Sequence, residues 1–151
     1  PEPLILDEVK TVVGLDGQKM SKSYNNTIPL FAEEKELKRL VMSIKTDSKG
    51  VEEAKNPEEC NVFALHKLFT PTDKLAEIKK RYVEGGIGYQ EAKELLFNNM
   101  NAYLAPLRAK RAEIAQDPAR VIQILKQGAE VARATAVRKM FDVRAKVGID
   151  L

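Results

Sequence analysis

A chain of 151 residues is long enough for one domain with its own core, and 44% hydrophobic with 31% charged residues is the balance of a soluble globular protein. No run approaches the roughly 18 apolar residues of a membrane span, and the opening Pro-Glu-Pro-Leu-Ile-Leu lacks the basic and apolar regions of a signal peptide. The formal net charge of +3 is uneven: Ala105–Leu151 carries ten basic and five acidic residues against fifteen and seventeen before it, so a polyanion contact is expected at the C-terminal end.

In chain order, residues 1–13 read as extended, with Leu4-Ile5-Leu6 and then Val9, Val12 and Val13 favouring strand. So short a strand needs a sheet partner, and the rest of the sequence offers almost none. Gly14 to Ile28 is the least helix-like stretch: Gly14 and Asp16-Gly17 break regular structure at its start, Asn25-Asn26 and Pro29 at its end. A first helix is expected from about Ala32 to Ile44, with Leu37, Leu40, Val41 and Ile44 on one face and Thr46-Asp47-Ser48 ending it. After a polar connector over 49–56, Asn56-Pro57 signals a capped start for a second helix running to Phe69. Cys60 and His66 lie on or beside that helix and read as packing residues. As the single cysteine and single histidine of the chain they make neither an internal disulfide nor a zinc site, which fits a reducing cytoplasm, and no metal-ligating set is expected.

Thr70-Pro71 opens a third helix over 72–84, with Leu75, Ile78, Tyr82 and Val83 inward and Gly85 stopping it. A fourth covers 89–115, with Leu95, Leu96, Met100, Tyr103, Leu104 and Leu107 as its apolar stripe and a kink expected at Pro106. Asp117-Pro118 opens a fifth, ended by Gly148. Its buried side is read as Val121, Ile122, Leu125, Ala129, Ala132, Ala136, Met140 and Val143, and its basic exposed surface as Arg133, Arg138, Lys139, Arg144 and Lys146. The expected fold is therefore all-α, a bundle of about five helices preceded by an extended segment and a loop.

The loop carries the chemistry. Lys19 and Lys22 stand three apart, with Ser21 between them and Ser23 behind. Ammonium groups are mobile point charges with three donors each, hydroxyls and turn amides add neutral donors, and glycines let backbone approach a ligand. That combination suits an anion such as phosphate.

Lys19-Met20-Ser21-Lys22-Ser23 is letter for letter the KMSKS signature of class I aminoacyl-tRNA synthetases. A five-letter match of this kind arises by chance on the order of 10⁻⁶ per position. The run Gly14–Ile28 and the segment Met42–Ser48 resemble the tryptophanyl-tRNA synthetase family, with the likeness strongest over residues 10–70. Tyrosyl-tRNA synthetases are the nearest alternative. A non-catalytic helical RNA-binding or interaction module, or a structural helical protein, would keep the basic fifth helix without needing the two lysines.

The resemblance implies an enzyme that activates tryptophan with ATP and passes it to tRNA(Trp). On the family pattern Lys19 and Lys22 are catalytic, holding the pyrophosphate oxygens in the transition state. Ser21, Ser23 and the loop amides help seat the triphosphate, Met20 lies toward the adenine, and Mg²⁺ accompanies the ATP phosphates. The family's other ATP signature, HIGH, is absent from this sequence, as is the β-rich nucleotide-binding half with the tryptophan pocket. The chain thus reads as a C-terminal part: residues 1–31 as the end of the catalytic domain with its KMSKS loop, residues 32–151 as the helical domain that binds the tRNA anticodon. Arg108, Arg111, Arg133 and Arg138 are the candidate tRNA contacts. The chain alone is expected to make no adenylate, and the full-length protein to be a homodimer through the absent half.

Overall fold

The computed structural model describes residues 11–149. Five helices follow one another: α1 (Glu34–Met42), α2 (Asn61–Phe69), α3 (Thr72–Glu84), α4 (Tyr89–Ala115) and α5 (Pro118–Val147). Short 3-10 turns occupy Lys22–Tyr24 and Pro57–Glu59, and no strand forms among the described residues. The all-α expectation holds. The chain divides into two compact units, Pro1–Arg108 and Ala109–Leu151, the division falling within α4.

The core lies in the first unit. Leu37 and Val41 from α1 and Ile44 beyond its end meet Val62, Phe63 and Leu65 of α2, Ile78 and Tyr82 of α3, and Ala92, Leu96, Met100 and Leu104 of α4. Phe63 and Tyr82 place their ring centroids 5.4 Å apart in a tilted pair, the geometry that aromatic quadrupoles favour. Leu68, Phe69, Leu75 and Leu95 pack against this cluster partly buried.

Between α1 and α2, backbone carbonyls take the place of apolar contacts. Lys55 is only 3% exposed, and its ammonium donates to the carbonyls of Gly50 and Glu53 while lying 5.4 Å from the centre of the Tyr89 ring. A buried ammonium is tolerable only when its donors are matched in this way.

Several sequence expectations need correction. The extended segment falls mostly on residues 1–10, outside the described residues. Within the described part, Val13 finds its partner inside the loop, as an isolated antiparallel bridge to Lys19. Asn56-Pro57 does cap a turn, the Asn56 side chain accepting from the Glu58 amide, but that turn is 3-10. Cys60 then adopts an extended backbone (φ −95°, ψ 118°), so α2 begins only at Asn61. Helix α1 stops at Met42, short of the expected Ile44, because Ser43 caps it with an amide shared between the carbonyls of Arg39 and Leu40 and a hydroxyl on Leu40.

Val83, Tyr103 and Leu107 are exposed, since α3 and α4 turn those positions away from the cluster. Helix α4 continues through Pro106. Helix α5 is capped as read, Asp117 accepting from the Arg120 amide and Gly148 closing it in the left-handed region at φ 70°. Its expected buried side is not buried: none of its residues is, and Ile122, Leu125 and Met140 are exposed. Periodicity marks an apolar face, but burial needs another element to cover it, and no described residue does so.

Candidate functional site

The loop that carries the signature is a small, heavily cross-tied structure. Its entry is a tight reversal in which the Gly14 amide donates to the Gln18 carbonyl at 2.7 Å, the Gly17 amide to the Gly14 carbonyl at 3.1 Å and the Met20 amide to the Val12 carbonyl at 2.8 Å. Gly17 sits at φ +88°, where an L side chain is strained, and a Cβ there would also lie 2.8 Å from the Asn61 carboxamide. The reversal delivers Lys19 opposite Val13.

Beyond it, Ser21 opens the 3-10 turn Lys22–Tyr24, its hydroxyl accepting from the Ser23 amide at 3.2 Å. Asn25 closes that turn in the left-handed region (φ 51°), its amide on the Lys22 carbonyl at 3.2 Å. The local pattern is the one that serine and asparagine favour, because their short polar side chains satisfy turn amides.

Asn26 lies at the centre of these ties, 2% exposed. Its carboxamide oxygen accepts from the Ser21 amide at 2.8 Å, and its nitrogen donates to Asp16 Oδ1 at 2.8 Å and to the Lys19 carbonyl at 3.2 Å. Its backbone carbonyl accepts from the Leu15 amide at 3.0 Å. The Asn26 bond, followed by the Gln18 amide on the same oxygen, holds the Asp16 carboxyl below its ordinary pKa of 3.8.

The base of the loop is fastened to the helices. The Lys45 amide donates to the Leu15 carbonyl at 2.8 Å, and Asn61 Nδ2, at the start of α2, donates to the Lys45 carbonyl at 3.0 Å. A cleft of about 580 Å³ opens beside this base, lined among others by Asp16, Gln18, Lys45, Asp47, Asn61 and Tyr89.

On this frame Lys19, Lys22 and Ser23 are exposed, Met20 and Ser21 half-buried. Neither lysine has an ion-pair partner among the described residues. Three acidic or metal-ligating side chains nowhere cluster in a way that could hold a metal, among the described residues.

The four candidate arginines are placed differently. Arg108 is half-buried and engaged, donating to Asn101 Oδ1 and at 3.4 Å to the Ala32 carbonyl. Arg111 on α4, and Arg133 and Arg138 on α5, are exposed. Arg108 belongs to the first compact unit and the other three to the second.

Sequence reasoning missed Asn26 as anything but a breaker, and missed Lys55 altogether. The only available signal for Asn26 was its place within the resemblance. His66 is a satisfied core residue, as expected. Nε2–H donates to the Ala92 carbonyl at 2.9 Å, which can only accept, so Nδ1 is the acceptor for the Thr70 hydroxyl at 2.7 Å. Burial depresses its pKa, keeping it neutral.

The family profile "tRNA synthetases class I (W and Y)" matches residues 1–105, and the chain belongs to that family. Within it, the chain is a homologue of tryptophan–tRNA ligases. It is 45% identical over 149 residues to the tryptophan–tRNA ligase of Fusobacterium nucleatum, covering 99% of this chain and 46% of that protein. It is 43% identical over 149 residues to that of Campylobacter jejuni, covering 99% and 47%. The crystal structure of the Campylobacter jejuni tryptophanyl-tRNA synthetase complexed with ADP and tryptophan superposes with a TM-score of 0.84 at 43% identity, covering 98% of this chain and 46% of that one. The chain thus spans about half the length of the relatives it matches.

Proposed function

We propose that this chain acts as part of a tryptophan–tRNA ligase. On this reading residues 1–31 contribute the KMSKS loop to the catalytic domain and residues 32–151 form the helical domain that meets the anticodon of tRNA(Trp). The observation that carries the reading is the loop itself: two exposed lysines, Lys19 and Lys22, without an ion-pair partner among the described residues, on a backbone cross-tied by Asn26. The Campylobacter relative captured with ADP and tryptophan supports a nucleotide and an amino acid as the ligands.

The reaction joins the tryptophan carboxylate to the α-phosphate of ATP and releases pyrophosphate. Negative charge grows on the departing group, so catalysis rests on positioning and on donors aimed at that charge. Lys19 and Lys22 supply it as mobile cations, Ser21, Ser23 and the loop amides as fixed neutral donors, and Met20 as an apolar neighbour for the adenine. Mg²⁺ does not fit this part of the chain: the loop's one carboxylate, Asp16, already accepts from Asn26 and Gln18. The ion belongs with the ATP phosphates, and the residues here derive no step from it.

Arg111, Arg133 and Arg138 are the tRNA contacts best placed to reach phosphates. Arg108, engaged with Asn101 and Ala32, serves the first unit's packing as well. The protein works in the cytoplasm as a homodimer formed through the half this chain lacks. No described helix is long and apolar enough to cross a membrane.

In the full-length protein, Lys22→Ala or Lys19→Ala is expected to slow ATP–pyrophosphate exchange by ~10²-fold, the usual effect of losing a transition-state donor. A change below about threefold for both would remove the loop from the chemistry.

A further inference from the structure

Among the described residues, none of the bonds that shape the loop comes from the ammonium groups of Lys19 and Lys22. Much of that work falls to one side chain outside the signature, that of Asn26. Asn26 is buried to 2% exposure in a segment whose neighbours Tyr24 and Asn25 are exposed. Both of its amide hydrogens and its carboxamide oxygen are used, and the three bonds converge on three separate points of the loop. The orientation of the amide follows from its partners: Asp16 Oδ1 and the Lys19 carbonyl can only accept, and the Ser21 amide can only donate.

Each tie acts on a functional group. The bond to the Lys19 carbonyl sets the peptide from which that lysine projects. The bond from the Ser21 amide sets the residue that caps the turn bearing Lys22. The bond to Asp16 locks both to the entry reversal, which is itself fastened through Leu15 to Lys45. The fit is close on the far side too, because a Cβ at Gly14 would lie 2.4 Å from Asn26 Cγ and Nδ2.

From this geometry we infer that Asn26 is a positioning residue for the adenylation step, holding Lys19 and Lys22 in the mutual arrangement that meets the triphosphate. The inference rests on the reading of the loop as a triphosphate site. It assigns to Asn26 no contact with substrate. Its effect passes through the two lysines, whose charge is useful only if it is already in place when pyrophosphate departs.

The test is made in the full-length protein by ATP–pyrophosphate exchange. Asn26→Asp keeps size and the acceptor facing Ser21. It deletes both donor bonds and sets a carboxylate against Asp16 and the Lys19 carbonyl. The expected result is a fall in kcat of ~10²-fold, the scale of an ångström-level misplacement, with the KM for tryptophan unchanged within about twofold.

Adding Asp16→Asn to Asn26→Asp removes the facing carboxylates and returns one donor to the pair, at the cost of the acceptor that the Gln18 amide shares on Asp16 Oδ1, and is expected to recover only part of the loss. If Asn26→Asp does not fold, Asn26→Ala replaces it against the same thresholds, because it removes the three bonds without adding a charge. Lys22→Ala in the same assay separates the two levels of the argument. If it is slow while the Asn26 variants stay within about threefold of wild type, the positioning role is wrong and the loop's function stands. If Lys22→Ala is silent as well, the triphosphate reading itself has failed and the inference goes with it.

Discussion

The single histidine offers a test of the core that no other group can imitate. His66 is fully buried between α2 and α4, donating from Nε2 to the Ala92 carbonyl and accepting at Nδ1 from Thr70, whose hydroxyl oxygen in turn accepts from Asn99 Nδ2 at 2.9 Å. A proton added to Nδ1 would face that hydroxyl hydrogen and force the row to break, and burial opposes the charge as well. Burial accordingly lowers the folded-state pKa below the ordinary 6.5.

The sign follows from linkage. A group with a depressed folded pKa contributes stability that is fully present above its unfolded value of 6.5 and is lost as pH falls toward the folded value, because the unfolded chain takes up a proton that the folded chain refuses. Between pH 7.5 and 5.5 the ceiling on that loss is about 1.4 kcal/mol, one proton acting mainly over the unit below 6.5. Urea unfolding followed by near-ultraviolet circular dichroism of the tyrosines reads it, Tyr82 being buried in the same cluster and tryptophan absent.

His66→Leu is expected to cost about 1–3 kcal/mol at pH 7.5, since Thr70 loses its acceptor and Ala92 one of its two donors, and to flatten the pH dependence. Wild-type protein equally stable at both pH values, or a substituted protein that keeps the slope, would refute this account of the site.

Two further outcomes follow from particular positions. Gly85 and Gly86 both sit at positive φ (86° and 95°), but a Cβ at Gly85 would lie 2.5 Å from the Glu52 carbonyl oxygen while Gly86 has nothing within 4 Å. Gly85→Ala is therefore expected to lower stability by more than Gly86→Ala, which should cost only the ~1 kcal/mol or so of a left-handed alanine, and equal urea midpoints would contradict the geometry. In the full-length protein, Arg133→Ala is expected to weaken tRNA binding and to reduce the slope of log affinity against log salt by about 1, and an unchanged slope in filter binding would take Arg133 off the phosphate backbone.

How much of this could be read from the sequence varies with what each residue depends on. The helix start at Pro118 was legible because a first-turn proline after a capping aspartate acts locally, and the start at Thr72 because Pro71 precedes it as the N-cap residue. The same signal at Asn56-Pro57 produced a 3-10 turn, because Cys60 is held extended and its thiol faces the Tyr82 hydroxyl at 3.7 Å, a tertiary contact that no local rule contains. Lys55 looked like one more charge in a polar connector. Its burial depends on the carbonyls of Gly50 and Glu53 arriving around it, which composition cannot foretell. The apolar positions of α5 were correctly seen as apolar and wrongly seen as buried, for periodicity describes one partner of a contact and says nothing of the other.

The loop shows the same division in its sharpest form. The charged residues that can be recognised from the sequence, Lys19 and Lys22, are exposed, because a signature follows from the chemistry of a ligand. The residues that hold the loop in shape, Gly14, Asp16, Asn26 and Asn61, carry no signature: they answer only to one another through amides and carbonyls a few ångströms apart. A lysine on a backbone free to move would spend most of its time elsewhere, and freezing it at the moment of reaction would add to the barrier. The exposed charges can act as one group because the Asn26 bonds beneath them have already removed much of the backbone's freedom. A reading of the site that stops at the two lysines therefore names the reagents and leaves out the device that aims them.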